Sequence, residues 1–253
     1  MRTCVLLLLL VAGCGDTGTW DAGDGEGGSE AGSGGHDAGS GGHDARPCSG
    51  TPESHTGEAT FYDFADGSGN CSFPASPDDL MVAAMNHTDY AASAACGACA
   101  TITGPHATSV TVRIVDKCPE CPQGDIDLSP VAFAVIADLP LGRVPISWVY
   151  TECDVLGPIV YHFKEGSNPF WTAVQLRNHR LPIARLEAKG PSGDYVELPR
   201  ADYNFFIADA GLGEGPYSFR VTATTGEVLT DEGIPFVDSG DAPGAAQFEG
   251  CLE

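Results

Sequence analysis

The stretch DKCPECPQGDIDLSP, residues 116–130, packs a CxxC and the acids Asp116, Asp125 and Asp127 into one short segment. A second CxxC, CGAC, occupies Cys96–Cys99, eighteen residues before Cys118. On paper, C-x2-C-x18-C-x2-C is the spacing of a structural zinc site. The aspartates suggest different chemistry. Residues i and i+2 on extended chain share a face, and two close carboxylates raise one pKa, which suits a proton donor or a ligand for sugar hydroxyls. For Asp125 the plainer reading, a solvated loop acid, is preferred. Asp127 also fits an acid placed ahead of a helix start, where N–H groups favour negative charge.

The cysteines are weighed by compartment and geometry. ACGACATITG ends in a strand-like run, and residues three apart on a strand point to opposite faces, so Cys96 and Cys99 suit different partners better than one metal. A thioredoxin-like role needs a CxxC opening a helix in a βαβ context, which is not evident. The chain begins MRTCVLLLLLVAGC, an export signal (1–13) too short to span a bilayer. VAGC resembles a bacterial lipobox, in which the cysteine, here Cys14, becomes the lipidated first residue. Gly15 after it resembles a signal for the outer membrane. An exported chain meets oxidising conditions. Without Cys4 and Cys14 there remain Cys48, Cys71, Cys96, Cys99, Cys118, Cys121, Cys153 and Cys251, an even set read as disulfides whose 105 pairings the sequence leaves open. No metal and no cofactor is called for.

Residues 14–50 read as a flexible Gly/Ser/Asp tether in which GSGGHDA occurs twice in tandem; His36 and His43 are passengers there. Of 35 acidic and 12 basic residues, 28 and 10 lie in 48–253, leaving the body near −18. Such a body repels nucleic acid and anionic polymers and favours a neutral partner.

Two β-rich units must position these groups. In 51–154, GEATFYDF, CATITG, SVTVRIVD and VPISWVY read as short strands. A helix is predicted over 129–138, with Ser129 as N-cap and Pro130 at its first position. In 155–253, IVYHFKEG, WTAVQLRNH, ARLEAKG, DYVELP, FRVTAT and EVLTDE alternate with turns, as in a sandwich. The tail from 239 reads as polar, pinned by Cys251. Trp148 reads as core.

These residues resemble the bacterial expansins. GEATFY resembles the family's G-x-A-T-x-Y start, VRIVDKCPECPQGDIDLSPVAF its V-x-D…LDLSP-x-AF segment, and GRVPISWVY its G-x-[IV]-P-[IV]-x-W. FKEGSNPFWTAVQLRNHRLPI and ADYNFF resemble KEGSSRWWAAIQVRNHKYP and MDYNHF. The resemblance runs from about residue 55 to 248. It implies a six-stranded double-psi β-barrel followed by an immunoglobulin-like carbohydrate-binding β-sandwich, an all-β fold. It implies non-hydrolytic loosening of plant-type walls by a monomer that binds cellulose, xyloglucan or xylan. Its groove residues fall on Thr60, Asp116 and Asp127, and its aromatic binding surface on Phe170, Trp171 and Tyr203, with Lys164 alongside. Tyr62 is a candidate groove aromatic, with core as the alternative. The family's groove tyrosine aligns with Cys118, which suggests a disulfide there. The family often has two tryptophans where this chain has Phe170-Trp171, and its well-studied bacterial members tend to be basic.

Competing readings remain. An inverting endoglucanase of the related family 45 would use Asp127 as acid and an aspartate shortly after the threonine of T-x-Y-W-D as base; TFYD puts Asp63 one residue short of that. A cell-surface adhesion module would suit the tether. Peptidoglycan binding or cleavage is a fourth reading, disfavoured by DYNFF and FW.

Overall fold

The computed structural model describes residues 53–63 and 65–250. The export signal, Cys14, the tether, Cys48 and Cys251 lie outside the described residues. Six strands close into a barrel: β1 (His55–Phe61), β2 (Val82–Asn86), β3 (Cys99–Thr103), β4 (Ser109–Cys118), β5 (Ile126–Leu128) and β6 (Val144–Thr151). Their order is β1-β5-β2-β4-β3-β6, and β6 returns to β1. The β1–β5 and β2–β4 pairs are parallel and the others antiparallel. Ile102, Ile114, Ile126, Leu128, Met85 and Phe133 fill the interior. Trp148 is core, as expected, and its indole N–H donates to the Gly124 carbonyl at 2.8 Å.

The predicted helix spans Pro130–Ile136 (α2), shorter than 129–138. The Ser129 hydroxyl accepts from the Ala132 N–H at 3.0 Å, and proline at the first helical position costs no hydrogen bond. A short helix, His87–Tyr90 (α1), follows β2 and is capped by Asn86.

Eight further strands form the second β-rich part: β7 (Val160–Phe163), β8 (Thr172–Arg177), β9 (Ile183–Lys189), β10 (Val196–Leu198), β11 (Phe206–Ala208), β12 (Tyr217–Ala223), β13 (Val228–Ile234) and β14 (Asp241–Pro243). They make two four-stranded sheets, β10-β9-β12-β13 and β11-β8-β7-β14. Alternation sets the faces: Tyr217, Phe219, Val221 and Ala223 point inward from β12 and meet Tyr161, Phe163, Val174 and Phe206 of the other sheet. The tail departs from expectation. Residues 241–243 pair with β7, and Phe248 is fully buried among the sandwich core residues, so this part of the tail is not simply polar.

The cysteines settle as Cys71–Cys96, Cys99–Cys153 and Cys118–Cys121. Cys96 and Cys99 take different partners, as expected, but not because both lie on extended chain: Cys96 sits in the turn that precedes β3. Both CxxC motifs are thereby committed to sulfur–sulfur bonds rather than to zinc.

Candidate functional site

The strand register brings the groove residues together. Thr60 on β1 pairs with Asp127 on β5; Asp127 pairs with Ala84 on β2; Ala84 pairs with Asp116 on β4. Four adjacent strands thus carry one row, Thr60–Asp127–Ala84–Asp116. Ala84 is buried but, unlike Val82, Ala83 and Met85, takes no part in the barrel's hydrophobic core. Its small side chain floors the gap between the aspartates. At about 4.8 Å per strand, Asp116 and Asp127 stand roughly 9–10 Å apart along the backbone.

The two acids are held differently. Thr60 Oγ1 donates to Asp127 Oδ1. Burial raises the Asp127 pKa above the ordinary carboxylate value, and the nearby charges of Glu120 and Asp116 add to this; the Thr60 hydrogen bond and Arg143 oppose it. Asp125, for which a solvated loop acid is the preferred sequence reading, is not solvated. It is buried, accepts from the Glu58 N–H at 2.8 Å and lies 3.6 Å from Arg143, because the start of β5 turns it onto the β1 backbone. Helix α2 does not supply the hold on Asp127 either: Ser129 caps its first turn, and Thr60 holds the carboxylate.

Asp116 Oδ1 accepts from the backbone N–H groups of Asn70 at 2.6 Å and Lys117 at 2.8 Å. Tyr62 is half-buried, and its hydroxyl is buried without a hydrogen-bond partner. Burial first, then Asp116, Asp127 and Asp66, keep that phenol protonated far above its ordinary range. Asp63 lies exposed in the turn after β1.

The aromatic residues sit on the β11-β8-β7-β14 sheet. Asn168, Pro169, Phe170 and Trp171 form a tight turn, closed by the Asn168 N–H donating to the Trp171 carbonyl at 2.7 Å. This irregular strand start leaves Phe170 82% exposed at the tip. Alternation then puts Trp171 on the outer face with Ala173 and Gln175, opposite the inward Val174 and Leu176. Lys164 follows His162 on the same face, with its ammonium 5.8 Å from the Phe205 ring centroid. Tyr203 lies 5.9 Å from Phe205. Phe205, which the sequence reading did not single out, joins Tyr203 to Lys164; only its place in ADYNFF hinted at it.

This face abuts the barrel. Gln175 Nε2 donates to the Cys71 carbonyl at 2.8 Å, and Asn70 Nδ2 donates to the Asp202 carbonyl at 2.8 Å, one residue before Tyr203. Among the described residues, no group of His, Cys, Asp and Glu is arranged to hold a metal ion.

The class so defined is a double-psi β-barrel joined to a β-sandwich. A family model described as lytic transglycolase, of the double-psi barrel type, matches residues 82–148. The chain is 31% identical to Expansin-YoaJ of Bacillus subtilis over 77% of its length and 86% of that protein's. It is 31% identical to expansin-like protein 5 of Dictyostelium discoideum over 68% of this chain and 75% of the other. The crystal structure of Clavibacter michiganensis expansin superposes with a TM-score of 0.71 at 31% identity, covering 77% of this chain and 98% of that one. A point mutant of that expansin, solved in complex with cellohexaose, superposes equally well at 30% identity. The chain belongs to the expansin family.

Proposed function

We propose that this expansin binds a neutral β-glucan chain of the cellulose type along one continuous surface and weakens contacts between wall polysaccharides without cleaving them. The surface runs from the groove of Thr60, Asp127, Asp116 and Tyr62 to the face of Tyr203, Trp171, Phe170 and Lys164. The observation that carries this is the Thr60–Asp127–Ala84–Asp116 row and its adjacency to Tyr203 through Asn70 and Asp202. The cellohexaose complex of the Clavibacter expansin supports the choice of ligand. The acidic surface favours neutral cellulose, xyloglucan or xylan over charged polymers.

Chemically, Asp127 is suited to donate a proton or hydrogen bond, and Asp116 is suited to accept one. A pair of this kind can replace the hydrogen bonds that a sugar hydroxyl makes to a neighbouring chain. Hydrolysis by inversion needs in addition a carboxylate base that holds a water across the sugar. Asp63, the base that the competing hydrolytic reading would use, lies exposed in the turn after β1, whereas Asp127 is held by Thr60 within the strand row. The protein works as a monomer in two parts, 51–154 and 155–253, exported and lipid-anchored through Cys14 at the cell surface.

The test is creep of heat-inactivated wall strips under load, run beside an assay of reducing ends from soluble β-glucan. Creep without reducing ends is expected. Reducing ends that vanish in Asp63→Ala would overturn the non-hydrolytic reading, as would creep that survives in Asp127→Asn for the groove reading.

A further inference from the structure

We infer that Asn70 is the positioning residue that locks the groove acid Asp116 to the aromatic face at Tyr203; this rests on the proposed reading that both bind one glucan chain. Asn70 lies in a loop between β1 and β2 with no regular structure of its own, and it is solvent-exposed. It nevertheless makes contacts in two directions. Its backbone N–H donates to Asp116 Oδ1 at 2.6 Å. Its Nδ2 donates to the Asp202 carbonyl and to the Tyr90 hydroxyl, each at 2.8 Å. The Tyr90 hydroxyl in turn donates to the same Asp202 carbonyl at 2.8 Å, closing a triangle.

The flanking residues hold Asn70 in place. A Cβ on Gly69 would stand 2.5 Å from Cβ and Cγ of Asp116, so only glycine lets the loop lie against that carboxylate. Cys71 donates its N–H to the Val115 carbonyl at 3.1 Å and is bonded to Cys96. Its carbonyl accepts from Gln175 Nε2 at 2.8 Å and from Asn204 Nδ2 at 3.3 Å. The loop is therefore tied to the barrel by its backbone and disulfide, and to the sandwich by its carbonyl. Asn70 is where one residue joins the two halves of the site, by its backbone N–H to Asp116 and by its side chain to the Asp202 carbonyl. A rigid link of this kind favours a long ligand: when the first part of a chain is bound, the second part meets its partners already in register, and less orientational freedom is lost.

Titration calorimetry with cellotriose and cellohexaose tests this through the ratio of the two affinities. In the wild type the longer oligomer is expected to bind at least tenfold more tightly. Asn70→Ala keeps the N–H to Asp116 but removes the side-chain bonds, and the ratio should fall by five- to tenfold. Tyr90→Phe keeps the buried ring, removes one corner of the triangle, and should lower the ratio two- to threefold; it also covers the case in which Asn70→Ala fails to fold. A wild-type ratio near one overturns the single-chain reading and this inference with it. A wild-type gain retained within twofold in Asn70→Ala overturns the inference alone.

Discussion

Asp116 and Asp127 stand two strands apart with one residue, Ala84, as their common register partner. The separation of the two acids is thus set by two strand spacings, and the residue between them carries a single methyl group. Ala84→Leu would push a branched side chain up between the carboxylates. Overpacking of this kind costs about 1–3 kcal/mol of stability. Loosening, read as wall creep, is expected to fall tenfold or more in Ala84→Leu, while Ala84→Ser retains at least half. Equal creep in Ala84→Leu and wild type would mean that the ligand does not enter between the two acids.

The perturbed acid sets a pH dependence. Burial, Glu120 and Asp116 raise the Asp127 pKa, so the folded state holds its proton to higher pH than the unfolded chain does. The folded protein therefore loses stability as pH rises from the unfolded carboxylate pKa through the folded one. Asp127→Asn, neutral throughout, should be more stable than wild type at pH 7, with the gain disappearing near pH 3. If loosening uses the protonated acid, creep falls as pH climbs through that same raised pKa. Thr60→Val deletes the hydrogen bond that favours the carboxylate, and should move the fall to still higher pH. Creep measured over pH 4–8 in both proteins checks this; a shift toward lower pH would exclude Asp127 as donor.

Much of the fold was legible where burial is one-sided. β6 and β12 alternate, β4 alternates up to Ile114, and Ser129-Pro130 announces α2. β2 escaped notice because VAAMN is buried at every position and so has no alternation to read. With β2 went Ala84, and with it the reason that Asp116 and Asp127 face the same groove. Sequence separated Asp127 from Asp125 in GDIDLSP but not by the right cause; pairing of β5 with β1 turns Asp125 onto the Glu58 N–H and leaves Asp127 beneath Thr60. The Cys99–Cys153 bond follows from the β3–β6 ladder, in which Cys99 pairs with Thr151, two residues before Cys153. CxxC spacing carries no trace of that. Asn70 was invisible for a similar reason: its partners are 20, 46 and 132 residues away.

The turn tip at Phe170 offers a gain as well as a loss. Aromatic pairs gain about 0.5–1.5 kcal/mol beyond the area they bury, and the same scale applied to a ring stacked on a sugar is roughly two- to twelvefold in affinity. Phe170→Ala should weaken binding to crystalline cellulose within that range. Phe170→Trp should strengthen it, because the larger indole extends the face already begun by Trp171. Both are read from depletion isotherms. Improved binding in Phe170→Ala would remove this residue from the binding face.

His179 ties acid stability to the contact between barrel and sandwich. Its ring is 3% exposed, its Nδ1 lies 2.8 Å from the Leu181 carbonyl, and its other edge packs on Gly97, where a side chain would collide with it. Burial pushes its pKa down to about 4; the Leu181 carbonyl opposes this, and the positive charges of Arg200 and Arg113 add to it. Because the folded value lies below the unfolded one, the unfolded chain binds the proton first. Stability is fully present above the unfolded value of about 6.5 and is lost as pH falls through the window down to about 4. The loss amounts to about 3 kcal/mol, a large share of the stability of an ordinary domain. Urea unfolding at pH 7, 5.5 and 4.5 should show the midpoint falling steadily in the wild type. In His179→Gln, which lacks the titrating ring, the midpoint should start lower at pH 7, because packing on Gly97 is lost, and should depend less on pH. A pH dependence as steep in His179→Gln as in the wild type would place the acid-sensitive group elsewhere.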